Sequence, residues 1–561
     1  VKGQFSVTKK YSKSEKFIDP LSSKTSVTGS KDNNLAGDLY TTNGESLDWN
    51  SNAFLYYTRS FNKQHNLNVS AGWEAASGTT ESTNAHYRGF PSGEFHSLNY
   101  AAEVYKKPTR TENTTRRVSV LASANYTWND IYLVDASVRF DGSSEFGANQ
   151  KWAPFFSGGL GVNIHNYDFF KSNGYINKLK LRASYGRTGK VNFPAYAATT
   201  MYETLFDEWY ITGYGAVLKA LGNKDLTWEK TDKLSVGIET KTFHDRLTVD
   251  FEYYYNKTID LVNDVTLSQT SGFSTYKDNM GQVANKGVEL KLRADIYRDR
   301  NWNVALWGNM AHNKNEILKI SDSQKAYNER VAAYYKNEAL YQETLGLSHG
   351  AEYSVPLPQY EEGASLTSIW AVRSLGIDPT TGKEIFLNRD GSIADKWNAA
   401  QEVVVGNTEP KCSGAFGLNL SYKNWTLFAS FLYEWGGQEY NQTLVNNVEN
   451  ADLVNKNVDL RVLTDRWKKP GDIAQFKDIK DRGMTTLPTS RFVQDKALVR
   501  LNSLNVSYDF NRDWIKKHLR MNLLRLEAST SDLINWSSIK QERGLSYPRS
   551  WKVEFSLKAQ F

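Results

Sequence analysis

The chain has 561 residues, with 68 Lys and Arg against 62 Asp and Glu, and its net charge of +6 is spread without a basic block, which excludes nucleic-acid binding as an organising function. Its only cysteine, Cys412, excludes a disulfide framework and a CxxC metal site. Aromatics make up 13% of residues, mean hydropathy is −0.57, and no run of about 18 apolar residues exists, so there is no transmembrane helix.

Apolar and polar residues alternate with a period of two from end to end, which marks strands with two unlike faces. In chain order the alternation predicts strands near 1–9, 51–61, 65–75, 116–128, 130–140, 153–165, 178–187 and 232–243. It continues at 246–256, 284–297, 301–312, 413–423, 425–435, 496–510, 521–530 and 550–561. On 116–128, Val118, Val120, Ala122, Ala124 and Tyr126 share one face, opposite Ser119, Ser123 and Asn125. After a tight turn at Asn129-Asp130, Tyr132, Val134, Ala136, Val138 and Phe140 repeat the pattern against Asp135, Ser137 and Arg139. Charged residues at every second position suit a water-filled lumen and would be costly in a dry sandwich core.

The last segment is the cleanest. Trp551, Val553, Phe555, Leu557, Ala559 and Phe561 alternate with Lys552, Glu554, Ser556, Lys558 and Gln560. That run fits a tilted membrane strand of about 9–11 residues, whereas soluble strands average about 5–6.

Predicted turns are short at one rim: 62–64, 129–130, 244–245, 299–300 and the single Asn424. Between hairpins the predicted connections are long: 11–50, 76–115, 188–231, 313–412 and 436–495. This asymmetry, with aromatics near strand ends such as Trp128, Tyr253, Trp425 and Trp435, predicts an all-β fold, a transmembrane antiparallel β-barrel of about 16 strands with long extracellular loops. Asp141-Gly142 and Gly376-Ile377-Asp378-Pro379 read as turns.

Catalytic and metal chemistry find no foothold. The eight histidines make no HExxH or other compact spacing, and no GxSxG or phosphate loop is present. No cofactor is expected. His86, with Arg88, Glu94 and His96, falls in a predicted long loop and is a candidate ligand or partner contact.

Several stretches, read in order, resemble SusC/RagA-type TonB-dependent transporters. They are Arg139-Phe140-Asp141-Gly142-Ser143-Ser144-Glu145-Phe146-Gly147, Trp152-Ala153-Pro154-Phe155-Phe156-Ser157, Leu179-Lys180-Leu181-Arg182-Ala183-Ser184-Tyr185-Gly186 and Leu226-Thr227-Trp228-Glu229-Lys230. Asn285-Lys286-Gly287-Val288-Glu289-Leu290, Ser374 to Pro379, Ser490-Arg491-Phe492-Val493 and Ile539 to Leu545 follow. The resemblance spans almost all of 1–561 and implies the carboxyl-terminal part of a barrel of about 22 strands. With Val1 opening directly on a strand, the plug and first strands are expected upstream.

The resemblance further implies TonB-dependent import of a large nutrient, an oligosaccharide or oligopeptide, with energy from the TonB complex acting through the amino-terminal part. It implies a SusD-like surface lipoprotein capping the barrel, contacted by the loops at 359–363 and 436–495. Trp370, Tyr440, Trp467 and Phe476, with His86 and Arg88, are the expected contacts. Trp551, Val553, Phe555, Leu557 and Phe561 are expected to face outer-membrane lipid and, by the same resemblance, to form the signal for the barrel-assembly machinery. A passive porin or adhesin is the alternative function; a barrel hydrolase would need a catalytic constellation at the rim.

Overall fold

Asn129 and Asp130 both adopt left-handed backbone, φ 52° and 56°. Ile131 N–H donates back to Trp128 O at 2.9 Å, and the chain reverses at once. Two successive positive-φ residues match the twist of paired strands, and Asn and Asp tolerate them best after Gly. Asn62-Lys63 repeats the device, and Phe243-His244-Asp245 extends it by one residue. These turns fix the register of everything above them.

The computed structural model describes residues 1–25, 33–171, 174–191, 193, 195–211, 213–266, 275–279, 281–322, 324–326, 328–329, 359–453, 458–483, 486–510, 512–540 and 550–561. Strands β1 (Lys2–Ile18), β2 (Asp38–Phe61), β3 (His65–Arg88), β4 (Glu103–Trp128), β5 (Tyr132–Ser143), β6 (Trp152–Asn163) and β7 (Ile176–Lys190) pair as antiparallel neighbours in chain order. A side hairpin, β8 (Met201–Tyr210) with β9 (Gly213–Ala220), precedes β10 (Glu229–Thr242), which pairs with β7 and with β11 (Leu247–Ile259). A second side hairpin, β12 (Val262–Thr266) with β13 (Thr275–Asn279), precedes β14 (Gln282–Arg298) and β15 (Trp302–Lys319).

Next, β16 (Ser368–Ile377), β17 (Glu384–Leu387), β18 (Ile393–Ala394) and β19 (Glu402–Asn407) form a separate four-stranded sheet. The main sheet resumes with β20 (Cys412–Tyr422), β21 (Trp425–Tyr440), β22 (Val493–Asp509) and β23 (Leu523–Thr530). Short β24 (Asn535–Ser537) lies on β22, and β25 (Val553–Gln560) lies on β23. The main sheet has 17 strands, all in antiparallel meander order, and each of the predicted strands lies in it. Among the described residues, β1 and β25 do not pair with each other.

Two predicted long connections are corrected. Most of 11–50 and 76–115 is strand, because β1 to β4 run up to 26 residues. Beyond the apolar band both faces meet water, so Thr79-Thr80-Glu81-Ser82-Thr83-Asn84 carries no alternation to detect. Asp141-Gly142 is also not a turn: Gly142 lies in β5 opposite Trp152, whose ring would stand about 3.0 Å from a Cβ there. Gly376 (φ 102°) and the turn closed by Gly382 N–H to Asp378 O at 2.8 Å are as expected.

Register sorts the two faces. Leu67, Val69, Ala71 and Trp73 lie level with Tyr126, Ala124, Ala122 and Val120, and those with Val134, Ala136, Val138 and Phe140. At the far edge Leu526 and Ala528 lie level with Leu557 and Phe555. Phe555 is 76% exposed, which in water would be costly but suits a lipid-facing side chain.

At the rim of long connections the motif residues pack together. Phe146 stacks on Trp228 at 4.2 Å, and Phe155 and Phe193 complete the cluster around fully buried Leu226. Gly147 lets this loop approach closely: a Cβ would sit 2.1 Å from Lys224 O. The 541–545 part of the last motif lies outside the described residues.

Candidate functional site

The face opposite the apolar one is a wall of paired charges. Arg139 donates to Asp141 at 2.5 Å, Glu74 at 2.9 Å and Ser119 at 2.8 Å. Arg182 bridges Asp250 at 2.9 Å and Glu252 at 2.6 Å, and Lys178 holds Glu239 at 2.6 Å. Arg525 makes a two-pronged pair with Asp509 at 2.6 and 2.8 Å. Beside the Arg182 cluster a polar hollow of about 520 Å³ opens between Lys233, Glu252, Tyr254, Asn256 and Glu289. Pairs at this exposure add little stability, but they make the wall hydrophilic without a large net field.

Above the wall, the described parts of the connections from β15 to β20 and from β21 to β22 fold into one body. Its sheet has β16 at the centre, with Trp370, Ala371 and Val372 buried. The second connection lays Leu444, Val445, Val448, Val462, Phe476 and Phe492 into a core of their own. Backbone contacts stitch the two together: Val372 N–H to Pro488 O at 3.1 Å, and Asp478 N–H to Gly382 O at 3.2 Å. Trp467 Nε1 donates to Pro379 O at 2.8 Å, and Trp397 Nε1 to Pro488 O at 2.9 Å.

Arg491 is the charged rivet of this body. Its guanidinium donates to Glu384 Oε2 at 2.8 Å, Glu449 Oε1 at 2.6 Å and Gln475 O at 2.6 Å, with all three charged side chains under 10% exposed. Buried charge persists when each donor finds an acceptor, as here. Arg466 solves the same problem with carbonyls, donating to Val462, Lys477, Val448 and Glu449. Burial lowers the pKa of the nearby Lys477 ammonium, and burial raises that of Glu402 on β19 to about 7.

A family model described as TonB dependent receptor-like, beta-barrel matches residues 4–523. The chain belongs to this family. It is 26% identical over 566 residues to TonB-dependent receptor P39 of Formosa agariphila, covering 92% of this chain and 53% of that protein. It is 29% identical over 255 residues to TonB-dependent receptor SusC of Bacteroides thetaiotaomicron, covering 43% of this chain and 25% of that one. Among solved structures it resembles the RagAB peptide importer in its open-open state, with TM-score 0.81 and 22% identity over 100% of this chain and 59% of that chain. The resemblance to SusC/RagA-type barrels carried by the motifs therefore holds, and the chain is part of an outer-membrane β-barrel. It spans about half the length of P39.

In this TonB-dependent receptor barrel the long connections are extracellular. The aromatics expected to touch a partner lie inside the extracellular body instead. Trp370 is 2% exposed, Trp467 8% and Phe476 0%, and Tyr440 packs against Phe492 at the body's base. They hold the body together, because large rings earn most by filling its core. His86 and Arg88 close a strand rather than decorating a loop. His86 Nε2 meets buried Asp38 Oδ1 at 2.7 Å and stacks on Tyr40 at 4.0 Å, while Arg88 pairs with Glu103 and covers the Tyr105 ring at 4.2 Å.

The surface of the body shows what sequence reading missed. Leu460, Leu463 and Ile473 are 72%, 59% and 96% exposed, with Ile393 and Leu375 also outward. Leu460 and Leu463 are three residues apart on one helical turn whose Val462 points inward. In sequence they sit among charged residues with no period to set them apart.

Proposed function

We propose that this chain forms much of the wall and the extracellular docking body of a TonB-dependent importer that takes up an oligosaccharide or oligopeptide with a SusD-like surface lipoprotein. The observation that carries the reading is the two-loop body, which has its own core and exposes Leu460, Leu463 and Ile473 above a polar wall. Exposed apolar residues on a platform with its own core are what a partner interface requires, and a bare barrel needs only short connections. The relation to the TonB-dependent receptor SusC and the likeness to the RagAB peptide importer support the import part of this reading. No catalytic role enters the reading.

The free edges of β1 and β25 enter the same proposal. Unpaired backbone in hydrocarbon costs several kcal/mol per group, so further strands of the complete transporter would lie between them. The barrel-assembly machinery would read the outward residues Trp551, Val553, Phe555, Leu557 and Phe561.

The test is affinity purification of the complete transporter from its native membrane. Wild type should bring down a lipoprotein encoded beside it, and Leu460→Glu/Leu463→Glu/Ile473→Glu should lose it while the barrel stays folded. No lipoprotein with wild type refutes the partnership, and unchanged recovery with the triple variant moves the docking surface elsewhere.

A further inference from the structure

Outward residues of β7, β10, β11, β14 and β15 run in level rows set by register. Ala183, Val236, Tyr253 and Val288 form one row that is apolar until His312 on β15. One step toward the extracellular rim, the row is Tyr185, Leu234, Tyr255, Lys286 and Lys314, and the next begins Arg187, Asp232, Lys257. The face therefore changes within one row from mostly apolar to basic, with tyrosines in both rows. Trp302, stacked near Tyr422 at the short-turn rim, and Lys314 are separated by roughly 30 Å of tilted strand, about one hydrocarbon thickness. The basic rows thus lie at the level of the outer-leaflet headgroups.

Lys286 and Lys314 sit directly opposite each other across the β14–β15 pair. Like charges in that position repel, which a sheet tolerates when an anion lies between them. Lys286 is exposed and has no acidic partner among the described residues. Lys314 has only an exposed contact to Glu316 at 3.5 Å. Arg187 is already matched by Asp232 at 2.6 and 2.9 Å, with Lys257 level with the same carboxylate. Four cations (Arg187, Lys257, Lys286, Lys314) against two carboxylates (Asp232, Glu316) leave two positive charges, enough for one phosphate of about −1.5 to −2.

We infer that Lys286 and Lys314, backed by Lys257, bind a phosphate group of a phosphorylated glycolipid in the outer leaflet. Tyr255, level with the two lysines, and Tyr253 in the row beneath would lie against the lipid's upper acyl chains, as aromatic girdles do. The site is on the outside of the barrel, and it stands whether or not the import reading does.

The test uses the complete transporter, stripped of native lipid and placed in phosphatidylethanolamine vesicles with or without bisphosphorylated lipid A. Wild type should retain lipid A in native mass spectrometry and gain thermal stability from it. Removing each lysine should lower retention roughly 5-fold, so Lys286→Gln/Lys314→Gln should lose nearly all of it. The conservative Lys286→Arg/Lys314→Arg should keep it and shows that folding is intact. Equal retention by the Gln double variant, or equal stabilisation of wild type by dephosphorylated lipid A or by phosphatidylglycerol, would overturn the assignment. If the double variant fails to insert, single Lys286→Gln, which removes a repulsion, decides on the same readouts.

Discussion

Arg491 and Glu449, 42 residues apart in sequence, meet at 2.6 Å inside the extracellular body, where Glu449 is fully buried. The same guanidinium holds Glu384 of β17, so one side chain ties two separate connections together. Arg491→Ala would strand two buried carboxylates and should destabilise the body by about 3–5 kcal/mol. Amide exchange should rise in 441–453 and 460–483 while barrel amides stay protected. Lys at 491 should recover only part, since an ammonium lacks the planar fork that spans both acids. Unchanged exchange in the body after Arg491→Ala would show that the pair is dispensable.

Trp467 depends on an absent side chain. Gly382 has φ 73°, and a Cβ there would stand 2.5 Å from the indole. Gly382→Ala should cost at least ~1 kcal/mol through the backbone alone, and more through displacement of the ring. The emission of Trp467 should shift to longer wavelength, measured against a Trp467→Phe control. A variant with wild-type emission and stability would show that the loop relaxes without penalty.

Glu402 makes the body sensitive to pH. Burial lifts its carboxyl from the ordinary 4.5 to about 7, so the folded form holds a proton that the unfolded form releases. Stability is therefore full below about 4.5 and falls as pH rises through 7, by up to roughly 3 kcal/mol. Glu402→Gln keeps an acceptor for Gln359 and should flatten the profile between pH 5 and 8. The measurement is amide exchange in β16 and β19 across that range; parallel profiles for both proteins would assign the dependence to another group.

Phe555 and Ser556 are adjacent on β25 but face opposite sides, level with Ala528 and Glu527 of β23. Arg at 555 should destabilise the barrel by about 2–4 kcal/mol if it lies near mid-membrane, whereas Arg at 556 should be mild. A folding titration into lipid vesicles compares the two. Similar midpoints would mean that the face assignment of the last strand is wrong.

The membrane strands were legible because one residue in two had to be apolar, as in 116–128 and 550–561. That same rule made the upper halves of β1 to β4 unreadable, since neither face of Thr79 to Asn84 needs to exclude water. Candidate contacts fared differently for another reason. Trp370, Trp467 and Phe476 are of the residue types that enrich interfaces, and residue type does not distinguish a ring that fills a core from one that waits for a partner. Nothing in the sequence sets Leu460 and Ile473 apart, because the buried Arg491 and Phe492, distant in the chain, fix which side of the body is interior. Asp141-Gly142 has the composition of a turn, but the ring of Trp152 lying on Gly142 is a reason for glycine that only the paired strand reveals.

The length of β2, β3 and β4 has a spatial meaning. Strands of 24 to 26 residues, at about 3.3 Å each and tilted about 40°, rise roughly 60 Å along the barrel axis, of which the hydrocarbon needs only about 25 Å. The remainder is a palisade projecting on the order of 35 Å into the medium, well past the lipid phosphates. The rim of the wall that these strands form therefore stands well above the headgroup plane rather than level with it, so whatever enters there is met far from the lipid surface.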